Sequence, residues 1–187
     1  MNLKTYLILT LLILSQSGCS LITKEQYLKD ESYASQPVKV PYRLVKVVIK
    51  DVRKDKNGQD LQVPNIYFKK HDNIADAVLT DERRHMIEGF VTDRFAGTDP
   101  VIALVEITTG TQRFTSGLME KESVDSKIKV TLIDVESNSK FIWATGDAWF
   151  EVKSIDASKE YLDKLYDKAV RASLYKALEI LATYQAS

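Results

Sequence analysis

The sequence is short of the side chains from which most catalytic and metal sites are built. It has one cysteine and two histidines in 187 residues. A single cysteine excludes an intramolecular disulfide. A zinc site needs three or four convergent ligands, which two histidines and scattered carboxylates do not specify. His71 precedes Asp72 in what reads as a loop, and His85 has Asp81 and Glu82 one turn back on what reads as a helix; both are expected to be solvated. There is no G-x-S-x-G elbow, P-loop or dinucleotide fingerprint, and Ser116-Gly117 comes with no identifiable base. The expectation is a non-enzyme with no catalytic residue, no metal and no cofactor. An excess of one charge is lacking too: 26 Lys and Arg stand against 26 Asp and Glu. No basic stripe is available to meet phosphates, so a nucleic-acid partner is not expected. Charge runs such as residues 54–56 and 81–84 read as solvated faces. With 44 % hydrophobic and 9 % aromatic residues, there is apolar material for one core and too little chain for two full domains.

The strongest bias is at the N-terminus. One basic residue, Lys4, precedes an apolar run over residues 6–14, followed by the small and polar Ser15-Gln16-Ser17-Gly18 and then Cys19. A basic start, an apolar stretch of about 7–15 residues and a small-residue end are the parts of a secretion signal. The run falls short of the roughly 20 residues a membrane-spanning helix needs. Cys19 directly after Ser17-Gly18 resembles a bacterial lipobox, in which cleavage precedes the cysteine and the thiol is acylated. Gln16 departs from the aliphatic residue usual three places before the cysteine, and conventional cleavage nearby is the competing reading. The lipobox resemblance implies a signal peptide over residues 1–18 and anchorage in a lipid bilayer through acylated Cys19. Ser20, where an aspartate would favour inner-membrane retention, implies the outer membrane with the domain facing the periplasm.

Residues 19–41 read as a tether, with Pro37 and Pro41 against regular structure and a short helix allowed near residues 25–33. A single domain is expected over residues 42–187. Its first strand is placed at residues 44–52, with Val45, Val47 and Ile49 on one face. A charged turn at residues 53–60 and an extended piece at 66–68 follow. Thr80-Asp81-Glu82 opens a helix with the cap and acids that suit a helix N-terminus; Met86, Ile87, Phe90, Val91 and Phe95 are its core face. Strands are expected at residues 101–107, 111–119 (after a Thr109-Gly110 turn), 127–135 and 141–152, then a long helix over residues 158–184. The simplest packing is a two-layer α+β domain, a mostly antiparallel sheet with two helices on one face, preceded by signal peptide and tether.

Ser17-Gly18-Cys19, the hairpin of residues 128–135 and 141–152, and the alanine-containing helix of residues 162–181 together resemble small bacterial lipoproteins of the YajG-like kind. A related layout occurs in periplasmic domains of envelope-assembly proteins. The resemblance is one of layout, and it carries over no catalytic residue.

On the last strand, Ile142, Ala144, Gly146, Ala148, Phe150 and Val152 alternate with Phe141, Trp143, Thr145, Asp147 and Trp149. If the first set lies under the helices, Phe141, Trp143 and Trp149 lie on a side that two layers leave open. They are the candidate surface for a protein partner in the envelope; ordinary packing under residues 60–78 is the competing reading. The function expected is a membrane-anchored accessory or assembly factor. The alternative is a binding protein for a small apolar ligand, lipid or glycan, which requires a cavity lined by residues such as Phe90, Phe114 and Phe150.

Overall fold

The computed structural model describes residues 23–34, 36–55, 57–62, 65–69, 72–114, 121–153 and 158–184. The signal peptide, Cys19, His71 and Ser116-Gly117 lie outside the described residues. The chain divides into two units, Met1–Asp30 and Glu31–Ser187. In the first, helix α1 (Lys24–Lys29) is closed by a capping box: the Thr23 hydroxyl accepts from the Gln26 amide, and the Gln26 side chain accepts from the Thr23 amide.

The second unit is an α+β domain on a six-stranded mixed sheet. Its elements are β1 (Arg43–Asp51), β2 (Asn65–Lys69), β3 (Asp72–Asp76), helix α2 (Asp81–Thr92), β4 (Pro100–Phe114), β5 (Lys121–Asp134), β6 (Lys140–Lys153) and helix α3 (Lys159–Thr183). Strands β2 to β6 pair antiparallel in sequence order, while β1 pairs parallel with β4. The first half of β4 carries β1 on one edge and its second half carries β3 on that same edge. Packing begins before Tyr42. Val38 and Val40 are buried, Val40 bridges Phe95, and the Tyr175 hydroxyl donates to the Gln36 carbonyl at 2.7 Å. Residues 36–41, read from the sequence as the end of a tether, are thus held against α2 and α3.

Both helices cover one face. Helix α3 crosses β4, β5 and β6, and α2 lies against β1 and α3. Their buried stripes, Ile87, Phe90 and Val91 on α2 and Leu162 through Leu181 on α3, meet Ala103, Val105, Ile107, Ile128, Val130 and Leu132 from the sheet. Thr80 caps α2 by accepting from the Arg83 amide, and Ser158 caps α3 by accepting from the Tyr161 amide. Gly146 lets α3 approach, since a Cβ there would stand 2.0 Å from the Ser173 carbonyl oxygen.

Four expectations are corrected. Thr109-Gly110 is no turn: β4 runs on through it, the alternation broken by a bulge between Ile107 and Thr109. Asp72 opens a strand, because β3 pairs with both β2 and β4. Val45 is exposed, as a register shift between Leu44 and Lys46 takes it off the core face. Helix α2 stops at Thr92, so Phe95 reaches the core region from the following bridge instead of the helix.

Candidate interaction surface

Neither α2 nor α3 lies on the sheet's second face. Register places Lys46, Val48 and Lys50 of β1, Leu104 and Glu106 of β4, Lys129 and Thr131 of β5, and Trp143, Thr145, Asp147 and Trp149 of β6 on it. Trp143 is 60 % exposed and Trp149 58 %. They stand six positions apart on the strand, about 20 Å. Lys129 Nζ lies 5.0 Å from the Trp143 ring and pairs loosely with Glu106 at 3.9 Å, giving the centre of the face a cation–π contact and mixed charge. Leu104 and Thr131 are buried beside them.

Phe141 does not join that pair. A register shift between Leu132 and Ile133 falls opposite it, and its ring packs edge-on against buried Tyr42 at 5.5 Å. With Tyr42 and Tyr184 it borders a shallow cleft of about 520 Å³ at the end of the sheet. The alternation along β6 therefore locates two of the three aromatic residues on one face and leaves the third at the bulge.

Under the helices the structure assembles a buried polar cluster around Arg53 and Arg83, which the sequence places in a charged turn and in a solvated charge run. The Arg53 guanidinium donates to both oxygens of Asp51 (2.8 and 2.6 Å), to the Gly110 carbonyl (2.8 Å) and to the Ala77 carbonyl (2.7 Å). Burial draws its pKa down, but the Asp51 carboxylate outweighs this and holds it above the ordinary value. Arg83, also buried, donates to Asp167 at 2.5 Å and to the Val78 carbonyl, and lies over the Tyr166 ring at 4.6 Å. The Tyr166 hydroxyl stands where a Cβ on Gly110 would be, 2.1 Å away. Burial pushes the Tyr166 pKa up to about 12, against the opposing pull of Arg53 and Arg83. The cluster clamps the β1 end, β4 and the start of α2 onto α3. The sequence signal for Arg83 was its place on the Ile87–Phe90 stripe; Arg53, inside a charged turn, carried none.

Beside this clamp runs a groove of about 690 Å³ with Ile66, Val78, Met86 and Phe114 among its walls and a Gln112–Asp163 hydrogen bond of 2.8 Å at its side. The three phenylalanines proposed to line one cavity are spread apart: Phe114 borders the groove, Phe90 lies under Arg94, and Phe150 faces Lys168. His85 is exposed, its Nδ1 2.7 Å from the Asp81 carbonyl. Among the described residues no three His, Cys, Asp or Glu side chains converge as a metal ligand set, and no described helix is long and apolar enough to cross a membrane.

No family model matches the sequence, and no curated protein matches it. Among solved structures, a dodecamer of a PelC point variant from Paraburkholderia phytofirmans aligns over 80 % of this chain and 93 % of its own, at 12 % identity and a TM-score of 0.40. A minor lipoprotein from Acinetobacter baumannii aligns over 76 % and 87 %, at 9 % identity and 0.37. Protein XCC0632 from Xanthomonas campestris, of the DUF330 family, aligns over 79 % and 85 %, at 12 % identity and 0.42.

Proposed function

We propose that this chain is a lipid-anchored protein of the bacterial envelope, held at the outer membrane on its periplasmic side, that works by protein contact and not by catalysis. The observation that carries the contact is the pair of exposed tryptophans on the sheet face opposite the helices. Tryptophan supplies a large binding area at modest entropic cost, and mixed charge around it suits a protein surface. The anchor rests on Cys19 and the residues before it. Incorporation of a labelled palmitate that is lost in Cys19→Ser tests the anchor. Photo-crosslinking from position 145, between the two tryptophans on the same face, tests the surface in intact cells. A defined envelope protein captured there with both tryptophans present, and lost in Trp143→Ala/Trp149→Ala, is the expected result; equal capture by that variant removes the assignment.

The groove beside Phe114 favours a second reading, a binding site for a small apolar ligand. A molecule that co-purifies with the wild type and is displaced by Phe114→Trp would establish it.

A further inference from the structure

Strand β6 ends the sheet: among the described residues nothing pairs with its outer edge. Lys176 Nζ reaches the Asp147 carbonyl at 2.6 Å. On the β5 side, the Asp134 amide bonds the Ser139 carbonyl, which sets the alternation of that ladder across the bulge. Both contacts give the same parity: residues 143, 145, 147 and 149 turn their peptide N–H and C=O groups away from β5. An edge of this length to which no described strand pairs is a template for another strand.

The sequence along that edge reads nearly the same in both directions about Gly146: Trp143-Ala144-Thr145-Gly146-Asp147-Ala148-Trp149. From this we propose that β6 is a self-association edge, on which a second copy of this chain adds its own β6 antiparallel across a two-fold axis at Gly146. In that register Trp143 stands opposite Trp149 of the second copy and Ala144 opposite Ala148. Thr145 stands opposite Asp147, hydroxyl to carboxylate. Beyond them Phe141 faces Glu151, Lys140 faces Val152 and Lys153 faces Ser139, so no charge meets its like. Moving the axis by one residue to Asp147 would set two aspartates opposite each other and part the tryptophans, which directly opposed like charges disfavour. An isologous pair of this kind closes on itself, as two-fold interfaces do. The two sheets become one, with the helices of both copies on one side and two tryptophans from each copy on the other. Lys176 is the edge's guard in the isolated chain: its ammonium holds one carbonyl of the ladder until a partner strand arrives.

This goes beyond the envelope-contact reading and does not depend on it. The test is sedimentation velocity on the full chain in detergent micelles. Wild type is expected at twice the monomer protein mass. Trp143→Lys/Trp149→Lys sets the introduced like charges opposite each other and is expected at monomer mass; Trp143→Lys/Trp149→Glu sets opposite charges there and is expected to restore the dimer. Thr145→Pro removes one outward N–H, a substitution an edge strand tolerates, and should also give monomer with unchanged circular dichroism. A wild type that is monomeric at every concentration overturns the proposal, as does an equal mass for the two charged pairs. Capture of an envelope partner, read in parallel, would be lost in both charged pairs whatever their mass, so the two readings fail separately.

Discussion

Arg53 is held by two carboxylate oxygens and two carbonyls, from Asp51, Gly110 and Ala77, which come from three separate parts of the chain. A guanidinium loses several kcal/mol of hydration on burial, and only full pairing offsets that. Arg53→Ala would leave Asp51 without its counter-ion and take the guanidinium donors from the Ala77 and Gly110 carbonyls, of which Gly110 keeps the Ala77 amide. A loss of about 3 kcal/mol in urea unfolding is expected. Arg53→Lys should recover only a minor part, since an ammonium cannot span the carboxylate and both carbonyls in one plane. Tyr166 gives a pH signature. Its pKa is about 12 in the folded chain against 10 as the ordinary value. Below pH 10 both states keep the proton; between 10 and 12 only the unfolded chain releases it, and stability falls as pH rises. The slope expected from this one group is about 1.4 kcal/mol per pH unit. Urea titrations across that window should show it reduced by that amount in Tyr166→Phe. Arg53 was not legible in the sequence: it belongs to a charged turn, and its buried partners Ala77 and Gly110 lie far along the chain. Arg83 was legible in principle, three and four residues from apolar positions of its own helix.

At the scale of the element, β6 was legible and β4 was not, for one physical reason. Alternation is a reliable guide to faces while the ladder is regular, and β6 keeps its register with β5 from Lys153 back to Ile142. Strand β4 changes faces at the bulge after Ile107, where the polar Thr108, Thr109 and Gly110 imitate a turn. Strand β3 is short and carries two aspartates, so neither length nor alternation marks it. The glycines record how closely the layers approach. Gly146 lies under the α3 backbone, with Ser173 O 2.0 Å and Ala177 N 2.8 Å from the place of a Cβ. Backbone cannot swing aside as a side chain can. Gly146→Ala should therefore force α3 off the sheet and cost about 3 kcal/mol, measured by thermal unfolding. Gly89→Ala, where a Cβ would meet nothing within 4 Å, is the control, expected to be neutral or stabilising because it lies inside a helix.

For the whole molecule, the two-layer α+β arrangement followed from the order of the elements, whereas the strap of residues 36–41 did not. Two prolines there suggested a tether, yet Val38 and Val40 are buried and Gln36 is fastened to Tyr175. The proposed function divides its work between an anchor at one end and an exposed face on the sheet, and the two can be separated by experiment. Trp143 and Trp149 are mostly in solvent, so Trp143→Ala/Trp149→Ala should change unfolding free energy by about 0.5 kcal/mol or less at each site. In cell fractionation that variant should stay with the membrane as wild type does, because acyl chains, at about 0.8 kcal/mol per buried CH₂, supply the attachment. Cys19→Ser should move to the soluble fraction with the same unfolding midpoint. If instead the tryptophan variant leaves the membrane while Cys19→Ser remains on it, the open face is the part that touches lipid. The partner assignment would then pass from a protein to the bilayer surface.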